Sequence, residues 1–498
     1  MKRTVALLVA LGALPAVAAA PAGAASRVAI REVDPGFVAA AFSGDALVLA
    51  RRTAADRMVV ELRAPGRAPV VLAQTARRRF WRGAAVAASP QAVAVSLYGG
   101  DGREDPGRVL VGPPAGPLRE VARCASLVAS PPVAVDGTRV AWAEGGCITG
   151  EPGSVGPSAI AIGDVDPAVS VLRAAAEGER VPIGLALGPG GAVAGLLRPA
   201  FVSEFAGELR RVEGEALGPV LAGRPAEAVE PFGVLPGGVT VATRSVPLDD
   251  FFYERDESSR GCEIKLLAVA APEAGSGQRR LRLGRCPAAI GGEYSNRAAF
   301  FYVSPTDAQS VAVAAADRVV VRTFARRRPP DYEPLFDPAT TAVELRSATA
   351  GGSDLRVIVR GSEHRGPQDL VGGSGRVGWL QPRCVGGLQL RALDTAAPAG
   401  GPERIRDCRA DLLTRRAKLR RGAIRVRIRC PRGCKGRLVD RSVCSGETSR
   451  QFRFGRGVHT VRLRLTRRAR RVGHAVLRLR VESGAERRRT VRVVRRAG

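Results

Sequence analysis

Histidine is nearly missing from this chain. Only His364, His459 and His474 occur in 498 residues, and none sits at a metal-binding spacing. A structural zinc site needs closely spaced His and Cys ligands that converge, so none is expected. Phosphate loops of the Gly-x-x-x-x-Gly-Lys type are absent, and the run Gly188-Pro189-Gly190-Gly191 reads as a hairpin turn. There is no Gly-x-Ser-x-Gly elbow of a serine hydrolase. Asp164 and Asp166 lack the glycine and the distal glutamate of a calcium loop and read as turn residues. Helical periodicity is also missing, because alanine-rich pieces such as Ala174-Ala175-Ala176 are short and soon broken by glycine or proline. These absences argue against metal, nucleotide and serine-hydrolase chemistry, and no catalytic residue, metal or cofactor is assigned. Carboxylate chemistry has no local motif and stays open.

Lysine is scarce as well. Four of the 77 basic residues are lysine and the rest arginine, a bias that makes arginine abundance uninformative by itself. Its distribution is informative. Residues 406–498 hold 31 Lys and Arg against 6 Asp and Glu, a net +25, whereas the preceding 405 residues carry only +5. A chain-wide bias cannot produce that asymmetry, which marks a boundary.

The chain opens with Lys2 and Arg3, an apolar run from Thr4 to Ala20, and small residues ending at Ala22-Gly23-Ala24. That is the pattern of a secretory signal, here residues 1–25, with cleavage after Ala24 or Ala25. No later window holds about 18 uninterrupted apolar residues, so the expectation is a secreted or envelope-associated protein outside the cytoplasmic membrane. From Ser26 onward, short runs of Val, Ala, Leu and Ile alternate with Gly, Pro and Asp turns, the signature of strands. Seven of these runs recur, at 46–50, 92–97, 139–143, 192–197, 239–243, 319–324 and 376–380, most steps being near 50 residues and lengthening where polar insertions intervene. The best internal match sets Arg139-Val-Ala-Trp142 with Cys147 against Arg376-Val-Gly-Trp379 with Cys384, each Cys five residues after its Trp. Each run is read as the second strand of a four-stranded unit, which predicts an all-β fold with a β-propeller over 26–408, seven blades being favoured over six or eight. The rhythm resembles WD40-like propellers of the secreted, translocation-protein type, without their Trp-Asp signature.

Nine cysteines in an exported chain read as disulfides. Cys124 with Cys147, Cys262 with Cys286 and Cys384 with Cys408 are 23 or 24 residues apart. On the blade pattern the last two pairs join the start of a third strand to the end of the fourth, and Cys124–Cys147 ties two blades together. From about Asp411 strictly alternating segments begin, at 424–430, 437–440, 458–465, 474–481 and 489–494. They predict a small β-sandwich over 409–498 with about six strands and no helix. The arrangement resembles bacterial immunoglobulin-like C-terminal modules. Cys430 pairs with Cys434 within a Cys-Pro-x-x-Cys-x-Gly turn, leaving Cys444 odd.

Two candidate binding surfaces follow. Acidic-aromatic insertions at Asp249, Asp250, Phe252, Tyr253 and Glu254, and at Asp331, Tyr332 and Glu333, occupy matching places between second and third strands of neighbouring blades, where a protein or glycan ligand of unknown identity could dock. In the basic segment, Arg425, Arg427, Arg429, Arg462, Arg464, Arg478 and Arg480 alternate with apolar residues, so they leave the core together and form a cationic sheet surface. Such a surface attracts anionic envelope polymer; nucleic acid is disfavoured outside the cell. The expectation is a monomeric, non-catalytic binding or scaffold protein. The alternative is an extracellular glycan hydrolase or lyase that uses the loop carboxylates.

Overall fold

The computed structural model describes residues 29–33, 36–75, 81–99, 107–123, 132–145, 158–166, 171–176, 180–188, 191–198, 206–225, 228–235, 239–248, 261–269, 279–285, 312–315, 318–326, 341–349, 356–362, 365–394, 402–441, 448–482 and 487–494. Within them lie seven antiparallel sheets of four strands, one of which gains a fifth, arranged as a β-propeller. Blades 1 to 6 span 37–74, 81–123, 133–176, 181–225, 228–285 and 312–362. Their first strands contact one another in sequence, and the first strand of blade 7 contacts that of blade 1, which closes the ring. All seven predicted runs are the second strands of the seven blades.

Blade 7 departs from the predicted register. Its first three strands are Leu370–Gly373, Arg376–Pro382 and Leu388–Asp394, but the fourth is Ala29–Val33 from the N-terminus, antiparallel to Leu388–Asp394. Glu403–Arg404, expected to belong to this fourth strand, adds in parallel to the outer edge of blade 6. Pairing the chain start with the last blade leaves no gap in the ring, and it frees the segment after residue 394 to run elsewhere. The ends of the ring meet tightly. The Ser374 hydroxyl donates to the Phe42 carbonyl at 3.2 Å and accepts from the Gly44 amide at 2.9 Å, while Arg376 pairs with Asp45. A Cβ on Gly373, which sits at φ +129°, would stand 2.5 Å from the Phe42 carbonyl oxygen, so only glycine allows this approach. The same hydroxyl-to-turn link recurs around the ring: Ser43 donates to the Ser89 carbonyl at 2.7 Å, and Ser89 to the Gly137 carbonyl at 2.5 Å.

The cores lie between blades, not within them. Second strands are covered on both faces, which is why they read as unbroken apolar runs. Val93, Ala94, Val95 and Leu97 are fully buried, and Trp142 and Trp379 are the largest buried side chains of their blades. Third strands carry a repeat that the periodicity does not reveal: Glu61-Leu-Arg63, Glu208-Leu-Arg210 and Glu344-Leu-Arg346, echoed by Gln389-Leu-Arg391. In each of the first three the carboxylate lies between its own arginine and one from elsewhere in the same blade. Glu61 accepts from Arg51 at 2.8 Å and pairs with Arg63. Glu208 meets Arg210 at 2.8 Å and Arg180 at 3.4 Å. Glu344 meets Arg346 at 2.8 Å and Arg360 at 2.7 Å. A poorly solvated carboxylate needs such partners, and two arginines per glutamate satisfy its lone pairs.

Residues 411–494 form two sheets packed face to face as a β-sandwich. The three-stranded sheet holds Asp411–Leu412, Ala423–Cys430 and Gly457–Arg464; the five-stranded one holds Arg416–Lys418, Cys434–Asp440, Thr448–Phe454, His474–Val481 and Arg487–Val494. Ile424, Val426, Ile428, Val461 and Leu463 from the first pack with Leu438, Leu477, Leu479, Val491 and Val493 from the second. A short helix, Arg467–Val472, interrupts the expected all-strand pattern. Thr466 caps it, accepting from the Ala469 amide, and buried Asp440 in turn accepts from the Thr466 amide and hydroxyl at 3.0 and 3.1 Å.

Two disulfides are present among the described residues, Cys384–Cys408 and Cys430–Cys434. Cys384 lies in the turn before the third strand of blade 7, and Cys408 follows the added strand of blade 6, so the bridge ties the linker to the last hairpin and does not span one blade. Both sulfurs are buried against the sandwich core. Changing both residues to serine is expected to cost about 3 kcal/mol, from the freed loop of the unfolded chain; a denaturant titration of the oxidised proteins measures it. Cys124, Cys147, Cys286 and Cys444, and the side chain of Cys262, lie outside the described residues.

Candidate functional site: a cationic sheet face

The two sandwich sheets separate the predicted arginines. Arg425, Arg427 and Arg429 from Ala423–Cys430, with Arg462 and Arg464 from Gly457–Arg464, stand exposed on the outer face of the three-stranded sheet. Arg478 and Arg480 lie on the five-stranded sheet, where Arg480 is opposite Arg437 and Arg478 opposite Arg488. They therefore belong to a different face. The alternation predicts correctly which side chains leave the core, but strand pairing assigns them to two surfaces, and alternation carries no information about pairing.

On the three-stranded face, Arg425 is directly opposite Arg462, Arg427 opposite Thr460, and Arg464 opposite Ala423. Arg429 is neutralised by Asp411 at 2.9 Å, which also pairs with Arg409 at 3.0 Å. Burial acts to raise the Asp411 carboxyl, but hydrogen bonds from Arg429 and Arg409 outweigh it and hold the group below the ordinary carboxylate range. Acid that protonates Asp411 therefore adds positive charge to this face. Arg425, Arg427, Arg462 and Arg464 have no carboxylate partner among the described residues. In the propeller, by contrast, the Glu-Leu-Arg strands match arginines with carboxylates. Unmatched charge is dense on both sheet faces, the five-stranded one carrying exposed Arg437, Arg453 and Arg492 without a carboxylate partner among the described residues.

That concentration works against stability, because like charges directly opposite on neighbouring strands repel. Arg462→Thr is expected to stabilise the sandwich by about 0.5 kcal/mol at low salt while weakening any polyanion contact. Thermal melts at low and high salt check this, the gain shrinking as salt screens the pair.

The acidic-aromatic residues Asp249, Asp250, Phe252, Tyr253, Glu254, Asp331, Tyr332 and Glu333 lie outside the described residues. Their flanking strands are described: Val239–Leu248 and Gly261–Val269 are the second and third of blade 5, and Arg318–Arg326 and Thr341–Thr349 those of blade 6. Asp164, expected in a turn, is instead the last residue of the strand Ser158–Asp164, paired with Arg139; it accepts from the Thr138 hydroxyl at 2.6 Å and the Asp166 amide at 3.0 Å, and those bonds lower its pKa. Among the described residues no group of three His, Cys, Asp or Glu is placed to hold a metal ion. No helix among them is long and apolar enough to cross a membrane.

No family model matches this chain, and no curated protein matches it. Solved structures do resemble it. Hydrazine synthase of Kuenenia stuttgartiensis is 12% identical, with 74% of this chain and 98% of that chain covered and a TM-score of 0.42. The β-propeller domain of the trilobed protease from Pyrococcus furiosus is 10% identical, with 75% and 98% covered and a TM-score of 0.37. The polysaccharide lyase Uly1 is 10% identical, with 73% and 90% covered and a TM-score of 0.41. The second of these is by name a β-propeller, the architecture that the strand order and the closed ring give this chain.

Proposed function

We propose that this is an exported binding protein, led out by residues 1–25, in which a WD40-like propeller presents a ligand-binding loop face and a basic, immunoglobulin-like sandwich tethers it to anionic envelope polymer. The observation that carries the reading is the set of four exposed arginines, Arg425, Arg427, Arg462 and Arg464, unmatched by carboxylate on one sheet face. An extended cationic surface of this kind binds repeating negative charge through counterion release, which makes the contact sensitive to salt. The two disulfides are compatible with an oxidising compartment. The test is sedimentation of the full chain with purified cell envelope at rising salt. Retention that falls steeply with salt supports the tether, and retention indifferent to salt removes it.

A further inference from the structure

A second cationic feature lies apart from the sheet face, where the propeller linker meets the sandwich turns. An open cleft of about 590 Å³ is lined by Arg406, Asp407, Arg409, Pro431, Arg432 and Arg456, a volume within the usual range of small-molecule sites. The arginines come from three segments, and each segment is fixed. Arg406 and Arg409 flank Cys408, which is bridged to Cys384. The linker is also stitched to blade 6: the Ile405 amide donates to the Arg360 carbonyl at 2.7 Å, the Ser362 hydroxyl donates to Asp407, and Arg365 donates to the Arg406 carbonyl. Arg432 lies inside the five-residue loop closed by Cys430–Cys434. Beside it Gly433, at φ +79°, packs so closely on the propeller hairpin that a Cβ would stand 2.4 Å from Val385 Cγ1. Arg456 is in the turn before Gly457–Arg464, where His459 bonds the Gly455 carbonyl at 3.0 Å and stacks on Phe454 at 4.4 Å.

We propose that this cleft is a binding site for an anion carrying closely spaced phosphate groups. Arg406, Arg432 and Arg456 have no carboxylate partner among the described residues, and Arg409 shares Asp411 with Arg429. Four guanidiniums against the single lining carboxylate Asp407, already engaged by Ser362, sum to +3 over the lining residues, offset only in part by the Asp411 that Arg409 shares with Arg429. A monoanion would leave most of that charge uncompensated, whereas an oligophosphate matches it, and planar guanidiniums take phosphate oxygens in pairs. The repulsion is felt by a neighbour: burial first, and then the positive charge of Arg432, push the Arg365 pKa down. Because the backbone carrying Arg406, Arg409 and Arg432 is held by the two disulfides and the Gly433 contact, little backbone ordering is needed there on binding. The inference does not rest on the tether, which uses other residues.

Isothermal titration of the full chain with tripolyphosphate at physiological salt tests it, with citrate as the carboxylate comparison. We expect saturable binding of tripolyphosphate, weakened at least about tenfold in Arg432→Gln/Arg456→Gln, as expected from losing charge-assisted hydrogen bonds, and unchanged in Arg425→Thr/Arg462→Thr. Both arginines of the first variant are exposed, and a thermal melt matching the parent confirms its fold. Absence of tripolyphosphate binding, equal weakening in both variants, or citrate binding as tight as tripolyphosphate would each overturn the assignment. Failure of the envelope tether would leave these outcomes untouched.

Discussion

Full-length protein with Arg425, Arg427, Arg462 and Arg464 all replaced by threonine is expected to lose its retention on cell envelope at physiological salt. Each basic side chain near an anionic surface contributes about 1 kcal/mol, so removing four weakens association by roughly a thousandfold. The slope of log affinity against log salt should become shallower by about 3, since each lost contact takes its released counterion with it. Threonine keeps the strand propensity of these exposed positions, and the core-facing neighbours Val426, Ile428, Val461 and Leu463 are untouched. Sedimentation at several salt concentrations, compared with a variant changed only at Arg478 and Arg480, separates the two faces. If both variants lost retention equally, the tether would be a matter of net charge and not of this sheet.

Trp379→Ala is expected to destabilise the propeller by about 3–5 kcal/mol, the cost of a large cavity in a packed interior. Trp379 is 1% exposed and fills the space between blades 6 and 7 with Val320, Leu345, Val359 and Leu370, next to the position where Ala29–Val33 closes the ring. Its counterpart Trp142 occupies the same place in blade 3, and its indole N–H donates to Glu144 at 3.0 Å. The Trp379 indole N–H has no hydrogen-bond partner among the described residues, although Arg391 lies over the ring at 5.8 Å. Trp142→Phe should therefore cost about 1 kcal/mol more than Trp379→Phe, a difference that reports the indole hydrogen bond. Denaturant unfolding of the three variants measures both effects.

The matched Arg-Val-x-Trp segments point to this equivalence from sequence alone because second strands are covered on both faces. Fourth strands do not announce themselves. In blade 1 that strand exposes Val70 and Val71, and in blade 2 Arg119–Arg123 is charged at both ends, so neither shows the apolar rhythm of a buried strand. The Glu-Leu-Arg tripeptides at 61–63, 208–210 and 344–346 would have aligned three blades directly. They escape a search for apolar periods because their signal is polar, and its meaning appears only when Arg51, Arg180 and Arg360 arrive from other segments of the same blades.

By itself the sequence determined the all-β class, the seven repeats, the basic C-terminal sandwich and the Cys384–Cys408 and Cys430–Cys434 pairs, because periods, turn residues and local spacings are properties of neighbouring residues. Only the tertiary structure decided what depends on residues far apart in the chain. Residues 29–33 complete the last blade across a separation of more than 350 residues, and Glu403–Arg404 joins blade 6, because an open edge of blade 7 is satisfied by whichever strand the ring brings to it. The seven predicted arginines divide five to two, because strand order in a sandwich is set by packing of the inner faces and leaves no trace in the outward positions. The cleft at Arg406, Arg432 and Arg456 exists only where three segments meet, and no one of those segments carries its pattern.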